Sequence, residues 1–99
     1  MIKPIRKLKK LVGKYLYLHK NKILYDMGAP DIKSDDFIWF YTSHYFLDIF
    51  KLEIIFIFEE DVVVDISLTE YIFRREYSST FYYENAVPEF KTHYFLFSK

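Results

Sequence analysis

The polar residues that could do chemistry in this 99-residue chain fall into three small sets. The first is a run of carboxylates, Glu59, Glu60 and Asp61, with Asp65 a few residues on. A calcium ion would want about six to eight oxygens presented by a loop built for the purpose, and no such loop pattern surrounds these residues. They read as a solvated turn that can dock a basic partner. The second set is His19, His44 and His93. None stands at i, i+4 from another and no carboxylate–histidine motif accompanies them, so each reads as a surface or interface residue. The third is Glu89-Phe90-Lys91, which matches the E-x-K half of a restriction-type nuclease site, with Asp65 as an upstream carboxylate. In such a site the carboxylates hold magnesium and the lysine orients the attacking water. Pro88 immediately before it argues against a central strand, and the nuclease reading is not adopted.

What the chain lacks narrows the function further. It has no cysteine, hence no disulfide, thiol nucleophile or thiolate metal site. With two glycines and no phosphate-loop or nucleophile-elbow motif, a backbone cradle for phosphate is nearly excluded. The expectation is a protein with no catalytic residues, no metal and no cofactor.

Elements to position a binding surface are easier to read. Ninety-nine residues, 52% hydrophobic and 28% charged, suit a single globular domain, 1–99. Pro4 can open a helix. From it Ile5, Leu8, Val12, Tyr15 and Leu16 recur at helical spacing, with lysines and Arg6 between them. Gly13 either ends that helix or is tolerated within it. A second helix is predicted over Lys20 to Met27 with Ile23, Leu24 and Met27 on one face. Gly28 then supplies a left-handed stop, and Pro30 prevents continuation. Residues 1–28 are thus the helical part and 36–99 the sheet. "DFIWFYTSHYF" and "KLEIIFIFEEDVVVDISL" are strand-like. In the latter, Leu52, Ile54, Phe56 and Phe58 share one face, and Val62, Val64, Ile66 and Leu68 another, around a polar turn at 59–61. "TEYIFRREY" extends that strand or starts another, and "STFYYE" and "KTHYFLFS" make a further hairpin or edge strands. The fold class is α+β: two N-terminal helices packed on one face of an antiparallel meander of four or more strands.

The segments "LVGK" (11–14), "ILYDMGAPD" (23–31), "WFY" (39–41) and "LEIIFIFEEDVVVDI" (52–66) together resemble the domain of the small outer-membrane assembly lipoproteins, the SmpA/OmlA or BamE family. The same domain builds β-lactamase inhibitor proteins. The resemblance spans roughly residues 8–68. It implies a helix pair on a three- or four-stranded sheet, and a scaffold that holds other proteins rather than an enzyme. Small cytoplasmic immunity proteins on comparable scaffolds are a further analogy of fold and size. The N-terminus is basic but interrupted by Pro4, Gly13 and several Lys and Tyr, and no lipid-attachment cysteine is present. The envelope role is therefore not carried over, and the cytoplasm is the expected location. The apolar region Phe37–Phe58 is broken by His44, Asp48, Lys51 and Glu53 and is not a membrane span.

Charge and aromatic content point to partners. Residues 1–33 carry a balance of +7 and residues 34–99 one of −7, within a neutral chain, so charged partners should be steered to it. "KPIRKLKK" could meet nucleic-acid phosphate or an anionic membrane. The reading taken is a solvated helix face. Aromatics make up 22% of the chain, and Tyr and Trp give large contact area at low entropic cost. Trp39, Tyr41, Tyr45, Tyr71, Phe73, Tyr82, Tyr83 and Tyr94, with Arg74 and Arg75 and the acidic Glu59, Glu60, Asp61 and Asp65, would make an aromatic centre with a charged rim. The expected function is non-catalytic protein binding, as an inhibitor or immunity protein that occludes a toxin-like enzyme encoded nearby. A nucleic-acid-binding module using the basic helix is the alternative, and self-association through the sheet is a third reading.

Overall fold

In the computed structural model of the protein, residues 3–95 are described. Helix α1 (Pro4–Tyr15) starts on its proline. Leu8, Leu11 and Tyr15 form its buried stripe and Val12 and Leu16 flank it, while Ile5 is left exposed. Gly13 is tolerated inside the helix on the solvent side. Helix α2 (Lys20–Met27) is capped by His19, whose Nδ1 accepts the Asn21 N–H at 3.1 Å. Ile23 is fully buried and Met27 packs beside it, but Leu24 is exposed, so the apolar face of this short helix is narrower than its spacing predicts. Gly28 ends α2 with φ 80° and ψ −165°. The positive φ is as expected, but the extended ψ puts it in a region open essentially only to glycine.

Five strands follow: β1 (Ile38–Tyr45), β2 (Phe50–Glu59), β3 (Val62–Ile72), β4 (Arg75–Tyr83) and β5 (Glu89–Tyr94). They form one antiparallel meander in the order β1-β2-β3-β4-β5. The described part of the C-terminal region therefore completes this sheet. Alternation along each strand sends one set of side chains to the helices. Leu52, Ile54, Phe56 and Phe58 meet Leu8, Leu11, Tyr15 and Ile23 there, together with Val63, Ile66 and Leu68. Burying each such side chain contributes about 1.5–3 kcal/mol. The expected β3 face of Val62, Val64, Ile66 and Leu68 is corrected by a bulge. Ile57 pairs with Asp65 and Phe58 with Val63, so Val64 is unopposed and Val63 takes the inward place.

Two turns are tighter than the sequence suggests. Glu60 and Asp61 join β2 to β3, and Phe73 and Arg74 join β3 to β4, all four with φ between 49° and 66°. Positive φ at both central residues is the type I′ habit, normally served by Asn and Gly. Phe46, Leu47 and Asp48, between β1 and β2, also have positive φ.

The face of the sheet away from the helices is not bare. Glu53, Ser67, Thr69 and Ser79 are buried on it. The segment between α2 and β1 docks on the β1 edge through Asp31 N–H to Phe40 O (2.8 Å) and Thr42 Oγ1 to Asp31 Oδ2 (2.9 Å). Lys33 reaches from it over the Phe40 ring to the Glu53 carboxylate. No helix among the described residues is long and apolar enough to cross a membrane.

Candidate protein interface at the acidic end of the sheet

An antiparallel meander has two ends, and the sequence loads them differently. One end gathers the start of β1, the β2–β3 turn and the β4–β5 loop. Asp35, Asp36, Glu59, Glu60, Asp61, Glu84 and Glu89 all fall on it. Among the described residues the ion pairs there are Lys20 with Asp61 and Lys91 with Glu89, leaving the end strongly negative.

Lys20 is what holds the first half of this surface together. Its backbone N–H donates to Asp61 O (2.8 Å), and its ammonium donates to Asp36 O (3.0 Å) and pairs with Asp61 Oδ1 (3.1 Å). The same ammonium lies 5.4 Å from the Trp39 ring centroid and 5.1 Å from that of Phe58. One cation thus ties α2, the β2–β3 turn and the approach to β1, with part of its charge absorbed by aromatic faces. Phe58 N–H to Phe37 O (2.8 Å) closes the link. Asp35 caps this approach: its Oδ1 accepts the N–H groups of Phe37 and Ile38, which hold its carboxyl below the ordinary 3.8.

Tyr17 bridges to the other half. Its N–H donates to Val63 O (2.8 Å) and its phenol donates to the Glu84 carboxylate, which pushes the phenol up to about 12. Exposed apolar groups stand among these charges: Phe37 at 68%, Tyr17, Tyr83 and Val87. An apolar centre within a charged rim is the anatomy of a protein interface. No group of acidic or histidine side chains among the described residues could hold a metal ion.

The structure brings together Glu59, Glu60, Asp61 and Tyr83 from the sequence-derived set. Trp39, Tyr41 and Tyr82 instead turn toward the helices and pack on the core: Trp39 against Phe58 (4.8 Å), Tyr41 against Phe56 (5.8 Å), and Tyr82 against Phe90 (5.0 Å). The Tyr41 phenol donates to Gly28 O (2.8 Å), and burial pushes it up to about 12. Asp65 is half-buried on the sheet face away from the helices; desolvation raises its pKa, although Ile66 N–H donates to it at 2.9 Å. Tyr71 is on that face too, donating to Glu53 Oε1 (3.2 Å) beneath the Lys51 ammonium, and is raised to about 12 by burial and by Glu53. Tyr45, Phe73, Arg74, Arg75 and Tyr94 lie at the opposite end of the sheet, where Tyr45 borders an apolar cleft of about 150 Å³ with Phe46, Phe50, Ile72 and Tyr77.

His19, His44 and His93 are on different elements, and His44 pairs with Asp48 at 3.4 Å. Glu89 and Lys91 are on an edge strand, two strands from Asp65, roughly 9.5 Å by strand spacing. Among the described residues no group of three or more acidic or histidine side chains forms that could hold a metal ion, these included. Sequence reasoning missed Asp35, Asp36, Phe37, Tyr17, Glu84 and Val87 as part of this end. The signal is present for the first three, since "SDDF" abuts the first strand, but Asp36 and Phe37 read there only as the start of the strand segment "DFIWFYTSHYF".

No protein-family model, no curated protein and no solved structure matches the chain.

Proposed function

We propose that the chain is a non-catalytic protein-binding domain that docks a basic partner on the acidic end of its sheet. The observation that carries this is the clustering of seven carboxylates from three separate segments around exposed Phe37, Tyr17, Tyr83 and Val87. A surface of that charge speeds encounter with a positive partner and rejects negative ones. The finer reading is an inhibitor or immunity protein working in the cytoplasm, which occludes the basic active site of a toxin-like enzyme and turns nothing over. The test is capture of a protein partner by the wild type, compared with a Glu59→Lys/Glu60→Lys variant. Loss of capture in the variant supports the reading. Turnover of a substrate that depends on Glu89 or Lys91 contradicts it.

A further inference from the structure

The other end of the molecule has a different chemistry, and it is independent of the acidic surface. Topology puts the β1–β2 loop, the β3–β4 turn, the end of β5 and the start of α1 there, with Lys3, Pro4 and Ile5 beside Thr92 and Tyr94. Phe46 and Phe73 are each 69% exposed and Leu47 is 97% exposed. All three project from loop tips, and all three have positive φ, a conformation that Asn or Gly would hold with less strain. The two tips are bound to each other, since Phe73 N–H donates to Ile49 O at 2.9 Å. Phe46 leans edge-on against Phe50 (5.5 Å), but most of each of the three side chains faces solvent, and large apolar groups at strained, exposed positions point to use.

The charge around these tips is basic. Lys3, Arg6, Lys51, Arg74 and Arg75 lie at this end against Asp48, Glu70 and Glu76, with His44 Nδ1 3.4 Å from Asp48 Oδ1. Among the described residues no salt bridge engages Arg74 or Arg75. Phosphate of a nucleic acid would match the cations but not Leu47, which has no π-face on which a base can stack. An anionic bilayer matches both, offering phosphate to the arginines and an acyl boundary to the apolar tips.

We propose that this end docks on an anionic lipid surface, with Phe46, Leu47 and Phe73 entering the headgroup–acyl boundary and Arg74 and Arg75 meeting the headgroups. The geometry is interfacial, with no segment crossing the bilayer. It leaves the acidic end pointing away from the membrane.

The experiment is sedimentation of the full chain with vesicles of phosphatidylcholine alone and of phosphatidylcholine with phosphatidylserine. The expected result is retention on the anionic vesicles, falling as salt rises. Leu47→Asp should reduce it about tenfold or more, and each of Arg74→Gln and Arg75→Gln about fivefold. Phe73→Ser is a second apolar variant, and an unchanged Trp39 emission shows that the fold is intact in each. Failure of the wild type to bind, or equal binding by wild type and the two apolar variants, overturns the proposal. So does a self-associated or nucleic-acid-bound species that Leu47→Asp disperses while vesicles are ignored.

Discussion

Lys20 and Asp61 hold each other twice, through the Lys20 N–H on Asp61 O (2.8 Å) and through the ammonium on Asp61 Oδ1 (3.1 Å). The lysine side chain is 16% exposed and lies against Trp39 and Phe58. Lys20→Ala should therefore lower stability by about 1–2 kcal/mol, a figure kept small because Asp61 itself is open to solvent. Urea denaturation followed by Trp39 emission measures it. A change below 0.3 kcal/mol, about the noise of such a comparison, would show that the lysine is not the tie described.

Glu53 is 3% exposed on the sheet face away from the helices and is satisfied by Lys33 and Tyr71. Lys33→Met leaves that carboxylate buried with one neutral donor, and should destabilise by about 1–3 kcal/mol, discounted because the Lys33 ammonium is half exposed. Adding Glu53→Gln removes the stranded charge and should restore part of the loss. A double-mutant cycle gives the coupling; simple additivity would contradict this account.

Two carboxylates should titrate with opposite effects on stability. The pKa of Asp35 is lowered by its two backbone N–H donors, so its contribution is present above the ordinary 3.8 and is lost as pH falls through its depressed value. That of Asp65 is raised by desolvation, so its contribution is present below 3.8 and is lost as pH rises through its elevated value. Asp35→Asn should then be less stable than wild type at pH 7 and converge with it in acid. Asp65→Asn should be more stable than wild type at pH 7 and also converge in acid. Denaturation midpoints across that range check both signs.

The Phe73–Arg74 turn should accept Asn-Gly with a gain of about 1 kcal/mol or more, since both positions have positive φ. The same double substitution should abolish vesicle retention. A thermal melt and a sedimentation run on one variant read both, and a loss of stability would contradict the backbone reading.

Much of the architecture is legible in particular residues. Pro4 and the Gly28–Pro30 pair mark helix ends, and the alternating Leu52, Ile54, Phe56 and Phe58 mark the core face of β2. The bulge opposite Phe58 was not legible, because three valines in succession fit either phase of a strand. Nor was the Phe73–Arg74 turn, which carries none of the residues that announce one. Trp39, Tyr41 and Tyr82 were assigned to a surface because strand alternation within one segment does not say which face of the finished sheet the helices cover. The acidic end was half legible, since Glu59 to Asp61 are contiguous while Asp35, Asp36, Glu84 and Glu89 join them only through pairing order.

The most direct test is affinity capture from the protein's own source lysate, with the products of adjacent genes tried in parallel as bait. Wild type and Glu59→Lys/Glu60→Lys should be compared by mass spectrometry. The account predicts one stoichiometric basic protein held by the wild type and lost from the variant. Equal capture by both, or nucleic acid alone released by salt, would contradict it.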